Sequence, residues 1–237
     1  MILENKSNTP NLYADLYSNF RFLGTPSLSY RDMPHILNKY VQGRNALDYG
    51  CGTAESTLFL KSLGYNVDAV DINERMLSIA QERDPLGKYT KINSGVTTFD
   101  SESFDLVFCS FVLLEIATKD EMLNIVREIH RVLKKGGVFI SISASDHTYH
   151  HDWLTINTDF PENKNITSGS KVKIEFRDIN LTIDDYFWME KDYREVFGNA
   201  GLVVTEVYNP LGREDDCYEW KDEKNISPHS IIICNKN

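Results

Sequence analysis

Asp48-Tyr49-Gly50-Cys51-Gly52-Thr53-Ala54-Glu55 follows directly on the apolar run Asn45-Ala46-Leu47, and a second apolar run, Asn66-Val67-Asp68-Ala69-Val70, ends on Asp71, 23 residues after Asp48. Two glycines after a first strand let the backbone turn sharply and approach a ligand lying over the carboxyl ends of a sheet. An acid at the tip of the second strand accepts the two hydroxyl protons of a ribose. The pattern outlines a nucleoside-cofactor site on a parallel sheet.

Both NAD and S-adenosylmethionine carry such a ribose, and the loop separates them. The dinucleotide fingerprint would place its third glycine where this chain has Glu55, whose carboxylate repels a pyrophosphate at a helix start. S-Adenosylmethionine carries a sulfonium and an ammonium instead, which acidic residues and exposed carbonyls around Asp48 and Gly50 suit.

Outward from that loop, residues 29–143 alternate short β-rich runs with helical patterns, as a βαβ array around a mainly parallel sheet does. The runs at 45–49 and 66–71 are the first two strands, a weaker one from Lys88 to Ile92 the third, Phe104 to Cys109 the fourth and Gly137 to Ser143 the fifth. Met122, Ile125, Val126, Ile129, Val132 and Leu133 recur at helical spacing. Lys134-Lys135 and Gly136-Gly137 then predict the helix end, with basic residues in the last turn and glycine just past it.

Beyond residue 143 the texture changes. Residues 171–177 alternate strictly and Leu181-Thr182-Ile183-Asp184 answers them, which predicts a β-hairpin set above the sheet. A short helix with Tyr193, Val196, Phe197 and Ala200 on one face stops at Gly201.

The 237 residues carry 25 Lys+Arg against 35 Asp+Glu, a net charge of −10. That length suits one large domain at about 150 residues each. The charge repels phosphate backbones and anionic lipid, and no basic patch offsets it, so neither nucleic acid nor membrane is an expected partner. No signal-like start and no apolar run of about 18 residues occurs, so a cytoplasmic protein is expected. Cys51, Cys109, Cys217 and Cys234 form no CxxC pair, as expected of reduced thiols. Glu214-Asp215-Asp216 and Asp222-Glu223 read as solvated tail.

Taken together, Leu47-Asp48-Tyr49-Gly50-Cys51-Gly52-Thr53, Val70-Asp71-Ile72-Asn73, Ser103-Phe104-Asp105-Leu106-Val107 and Arg131-Val132-Leu133-Lys134-Lys135-Gly136-Gly137 resemble the successive motifs of class I S-adenosylmethionine-dependent methyltransferases. The resemblance implies an α/β, Rossmann-like fold with a seven-stranded, mostly parallel sheet, helices on both faces and a small β-hairpin cap. Residues 202–208 and 230–234 would be the sixth and seventh strands, the last antiparallel. It also implies S-adenosyl-L-methionine as cofactor and S-adenosyl-L-homocysteine as product.

Carried over position by position, Asp48 would anchor the region of the methionine amine, with Tyr49, Gly50 and Gly52 along the methionyl part. Asp71 would hold the ribose, Ile72 and Met76 would flank the adenine, and Cys109-Ser110 would present a carbonyl to the amine. Many relatives carry Gly-Asp-Ala after the third strand, with the acid on the adenine amino group. Here the run is Ile92-Asn93-Ser94-Gly95, so the Asn93 carbonyl oxygen or its neighbour Ser94 takes that place.

The implied division is a single domain: a helical lid over 1–28, the cofactor core over 29–143, an acceptor-side loop and cap over 144–190, and a C-terminal helix and strands over 191–237. Tyr13, Tyr17 and Arg21 are candidate acceptor contacts from the lid. His147 and His150 are the candidate bases, and Tyr149 between them is a further candidate acceptor contact. Adjacent histidines point apart, so no metal is expected there. Tyr186 and Trp188 would stack on a planar acceptor. The stretch from 185 to 212 is similar to the tails of toxoflavin-type biosynthetic methyltransferases, which implies a small, planar acceptor methylated on nitrogen or oxygen. The Asn-Pro-Pro-Tyr type motif of base-amino methyltransferases is absent, its place taken by Cys109-Ser110-Phe111-Val112. Two other readings stand beside this one: a non-catalytic S-adenosylmethionine-binding sensor or subunit, and an NAD-dependent oxidoreductase.

Overall fold

The computed structural model describes residues 10–93 and 95–237. Helices α1 (Pro10–Tyr17), α2 (Leu28–Arg31) and α3 (Met33–Tyr40) precede the array β1 (Asn45–Tyr49), α4 (Glu55–Ser62), β2 (Asn66–Asp71), α5 (Glu74–Arg83), β3 (Lys88–Lys91), β4 (Phe104–Ser110), α6 (Lys119–Val132) and β5 (Leu133–Ala144). There follow β6 (Ile156–Asn157), β7 (Lys171–Phe176), β8 (Leu181–Tyr186), α7 (Glu190–Asn199), β9 (Leu202–Tyr208) and β10 (His229–Lys236). The main sheet has seven strands in the order β3-β2-β1-β4-β5-β10-β9. Strand β10 runs antiparallel to both of its neighbours, and the other pairs are parallel.

Strands β1, β4, β5 and β10 are buried at most positions because helices cover both faces of the sheet. One face buries Val107, Phe139 and Ile232 against Met122, Val126 and Ile129 of α6 and Phe197 of α7. The other buries Leu106, Phe108 and Ile140 against α3 and Leu60 of α4. Helix α6 starts where the Thr118 hydroxyl accepts the Glu121 N–H at 3.2 Å, with Asp120 and Glu121 in the first turn and His130 and Arg131 in the last, complementing the helix dipole.

Three expectations need correcting. Helix α6 ends at Val132, so Lys134-Lys135-Gly136-Gly137 belongs to β5 and not to a helix stop. Leu133 pairs with Phe104, and the Lys236 ammonium donates to its carbonyl at 2.7 Å, which holds it extended. The cap is a three-stranded antiparallel sheet, β6-β7-β8, in which β6 adds to the expected hairpin. Its apolar side, with Ile174, Leu181 and Ile183, packs with Trp153 and with Tyr13 and Tyr17 of α1. The acidic tail is tied down as well: Glu223 is fully buried and accepts from the Thr25 hydroxyl at 2.6 Å and the Leu154 N–H at 2.7 Å. Among the described residues no helix is long and apolar enough to cross a membrane.

The loop from β3 back to β4 is pinned to α6 by Glu128, which accepts from Thr97 N–H at 2.9 Å and Thr97 Oγ1 at 2.6 Å and pairs with Arg131 at 2.7 Å. Burial alone would raise this carboxyl, but Arg131 and Thr97 draw it from 4.5 down to about 2. Between those values the unfolded chain binds the proton and the folded chain does not, so this contribution is present above 4.5 and is lost as pH falls towards 2. Glu128→Gln should therefore cost about 1–3 kcal/mol in urea unfolding at neutral pH. The gap to the parent protein should narrow in acid, and an equal gap at both conditions would contradict the pinning role.

Candidate active site

Strands β1 and β2 end side by side, and the loop after β1 folds back onto β2. The N–H groups of Gly50 and Cys51 both donate to the Val70 carbonyl, at 2.8 and 3.0 Å. Gly50 has φ +80°, and a Cβ there would stand 2.3 Å from Val112 Cγ2, so only glycine fits. The Gly52 N–H then donates to Asp71 Oδ2 at 2.8 Å and the Asn73 N–H to Asp71 Oδ1 at 2.8 Å. Asn73 caps α5 by accepting from Arg75 and Met76 N–H. Burial pushes the Asp71 carboxyl up, and the Asn73 and Gly52 N–H groups counter it.

Asp48 lies fully buried beneath the loop and accepts from the Ser56 and Thr57 hydroxyls at 2.7 and 2.5 Å in the first turn of α4. Its other oxygen, Oδ1, has no hydrogen-bond partner among the described residues, and burial pushes the carboxyl up to about 6. An orphaned buried carboxylate oxygen favours a positive group nearby. Glu55 is turned aside to Arg83, so the acid at the third-glycine position faces α5 and not the site.

Over these strand ends lies a cleft of about 760 Å³. Tyr49, Gly50, Gly52 and Asp71 form its floor on the β1–β2 side, with Ile72, Met76 and Asn93 along the wall and Ser110 at the end of β4. Ile72 is 65% exposed, an apolar side chain open to the cleft, whereas Met76 is buried. The Tyr49 hydroxyl donates to Gly95 O at 2.6 Å and holds the loop after β3 in place. Cys109 lies in the core below, away from the cleft, and the Ser110 hydroxyl accepts from Tyr30 at 2.6 Å. Ser94 falls outside the described residues. Glu121, Asn124 and Ile125 of α6 also line the cleft and were missed. Polar positions on the open side of an amphipathic helix carry no signal that distinguishes them from solvated ones.

Tyr13, Tyr17, Phe111 and Glu115 line the cleft and also a second, smaller chamber of about 40 Å³ beneath α1 and the cap. Tyr149, Asp185 and His229 lie on its wall. Tyr13, Tyr17 and Tyr149 are thus brought together, and the other expected acceptor contacts are not. Arg21 donates to the Ser18 and Phe20 carbonyls at 2.8 and 2.6 Å. Trp188 Nε1 donates to Ile116 O at 3.0 Å within the core beside α6, where Tyr186 packs too. Alternation along β8 explains the latter, since Leu181, Ile183 and Asp185 point to the buried side and Tyr186 does not.

His147 and His150 are exposed and line neither space, because the turn at 148–150 directs Thr148 and Tyr149 inward. The histidine on the chamber is instead His229, at the start of β10 and 4% exposed. Its Nδ1 lies 2.8 Å from Ser29 Oγ, and burial lowers its pKa to about 3, so it stays neutral. Among the described residues no group of three His, Cys, Asp or Glu is arranged to hold a metal ion.

Residues 47–141 match the methyltransferase domain model. Demethylmenaquinone methyltransferase of Bacillus subtilis is 30% identical over 124 residues, 49% of this chain and 52% of the relative. N-Demethylindolmycin N-methyltransferase of Streptomyces griseus is 27% identical over 68% of this chain and 70% of its own. The chain thus spans about half the length of the demethylmenaquinone enzyme it matches. Among solved structures, the CcbJ methyltransferase of Streptomyces caelestis superposes with a TM-score of 0.68 at 16% identity, over 98% of this chain and 99% of that one. A putative S-adenosylmethionine-dependent methyltransferase of Listeria monocytogenes gives 0.63 at 21% identity, over 89% and 99%. Residues 47–141 are thus similar to a methyltransferase domain, the whole chain shares the fold of solved methyltransferases, and the strand order, the doubly bonded Asp71 and the buried acid under the glycine loop fit a cationic nucleoside cofactor such as S-adenosylmethionine.

Proposed function

We propose that the protein transfers a methyl group from S-adenosylmethionine to a nitrogen or oxygen of a small, planar metabolite held in the chamber. The observation that carries this reading is the wall shared by cleft and chamber, at Tyr13, Tyr17, Phe111 and Glu115. Relatives named for demethylmenaquinone and N-demethylindolmycin support a small-molecule acceptor. The net charge of −10 disfavours a nucleic-acid substrate.

When bound, the cofactor supplies an electrophilic methyl on a sulfonium with a good leaving group. The chain supplies position and a dry environment. Asp71 holds the ribose hydroxyls with the lone pairs left after Gly52 and Asn73. Ile72 and Met76 close on the adenine, and Asn93 meets its amino group. Asp48 and the glycine loop set the negative end of the cleft toward the methionyl ammonium. Tyr13 and Tyr17 cover the junction from α1, which an Asp15–Arg75 ion pair at 2.7 Å fastens to α5. The chamber as it stands has room for about three waters, so an acceptor enters when α1 moves away from the cap.

Asp71→Ala should weaken S-adenosylmethionine binding by about 100-fold in calorimetry, the loss of two hydrogen bonds to a charged acceptor. Undiminished affinity would refute the site. Incubating the protein and methyl-labelled cofactor with a metabolite pool should place the label in a small molecule, read by mass spectrometry. A pool left unlabelled, with the cofactor bound, would mean a sensor and not an enzyme.

A further inference from the structure

We propose that the molecule methylated in the chamber carries a carbonyl oxygen, and that Tyr149 and His229 select it by donating hydrogen bonds to that oxygen from the phenol hydroxyl and from Nε2–H. This rests on the methyltransferase reading above and narrows its substrate class.

The first ground is a pair of side chains whose polar ends are left over by the fold. Tyr149 and His229 both line the chamber and are 5% and 4% exposed. The Tyr149 side chain makes no hydrogen bond among the described residues, and the His229 ring makes one, at Nδ1, with Ser29 Oγ. Neither the phenol hydroxyl nor Nε2 is sealed in the packing as Ser141 Oγ is, so each keeps open surface on the chamber. A ligand that completes the bonding of groups this deeply buried removes a desolvation cost.

The second ground is where the hydrogens lie. Ser29 is fully buried, and its hydroxyl has His229 as its one hydrogen-bond partner among the described residues. A protonated Nδ1 would leave the serine hydrogen buried with nothing to accept it, whereas a bare Nδ1 accepts it. The hydrogen of the neutral ring therefore sits on Nε2. Burial also keeps the Tyr149 phenol protonated. Both groups are donors. A ring in this state has no lone pair free to take a proton, so His229 orients the acceptor and does not deprotonate it.

The third ground is how the two are mounted. His229 opens β10 opposite Ala144, the last residue of β5, and Ala144 is itself on the chamber wall. The turn that carries Tyr149 is tied to the segment just before His229. The Ser145 N–H and the Thr148 hydroxyl donate to Pro228 O, and the Ser145 hydroxyl donates to Ser227 O at 2.6 Å. Phe187 packs edge-on against Tyr149 at 5.8 Å between ring centres, and Phe111 against His229 at 4.9 Å. Phe111 lines the cleft as well, so His229 stands beside the junction of the two spaces. Ile156, Ile174 and Phe176 elsewhere on the wall suit a flat apolar ring. A methylene or an N–H in place of the oxygen would leave two buried donors unmet, which is how such a site discriminates.

The test uses the full chain saturated with S-adenosylhomocysteine and titrated with indanone, an aromatic ketone, and with indane, the same frame without the oxygen. Tyr149→Phe and His229→Asn should each weaken indanone about fivefold or more and leave indane within about twofold. Asparagine keeps an oxygen where Nδ1 meets Ser29 and takes away the Nε2 donor, and Tyr149→Phe removes a hydroxyl with no partner in the fold. Both variants should therefore retain S-adenosylhomocysteine affinity, and Tyr149→Phe should not lower the thermal midpoint. A long-range proton–nitrogen spectrum of the parent protein, with the His229 signals identified by their loss in His229→Asn, should show Nε2 protonated and Nδ1 bare. No binding of indanone, an indanone affinity that either variant leaves unchanged, equal weakening of both probes, or a protonated Nδ1 overturns the proposal. Failure of the parent protein to bind S-adenosylhomocysteine would instead bring down the methyltransferase reading, so the two failures are distinct.

Discussion

The carboxylate of Asp71 holds two backbone segments at once, the Gly52 N–H on one oxygen and the Asn73 N–H on the other. Both bonds depend on the chain leaving β1 through Gly50 at φ +80°, with the Gly50 and Cys51 N–H groups already spent on Val70 O. The donors of a tight loop are thereby satisfied by the end of the neighbouring strand, which water would otherwise have to do. The approach to α4 and the cap of α5 are fixed by the same contact. The cleft inherits its shape from the sheet, and the outward lone pairs of one acid remain for a ligand.

Asp48 is the counterpart on the buried side. A carboxylate with no exposure and one unbonded oxygen opposes folding when ionised, which is why burial lifts it to about 6. Ser56 and Thr57 offset part of that cost and leave the residual charge at the start of α4, where the helix dipole favours it. Ala54, the residue before α4, offers no side-chain cap, so the strand-end acid takes over what a capping side chain does elsewhere. A cationic ligand above the loop would favour the ionised form of the same group.

Most of the cofactor half was legible because its central strands carry short apolar stretches bounded by turn residues. The strands at 45–49 and 66–71 fall where the sequence puts them, and the acid at the end of the second lines the cleft. The end of α6 was misread because Lys134-Lys135-Gly136-Gly137 satisfies the local rules for a helix stop, while Leu133 is held by Phe104 and Lys236, the latter 103 residues away. On the acceptor side, sequence located the loop and the cap but not which side chains turn inward. His147, His150 and Tyr186 lie next to residues on the chamber, and strand register or one turn of helix points them elsewhere. His229 carried no signal, since its partner Ser29 is 200 residues distant.

That contrast has a physical source in how the chamber is built. Glu223 takes hydrogen bonds from Thr25 before α2, Leu154 before β6 and Lys221 in the tail, and Thr25 and Thr155 exchange a further reciprocal pair at 3.0 and 3.1 Å. Three segments from both ends and the middle of the chain meet on one buried carboxylate beside the chamber. None is a regular element long enough to announce its partners through periodicity. The glycine loop, by contrast, is closed by residues within about one βαβ unit, so its chemistry is written locally. Changes in the tail or cap can therefore reshape the chamber without disturbing the Asp71 contact, because different contacts hold the chamber and the cleft.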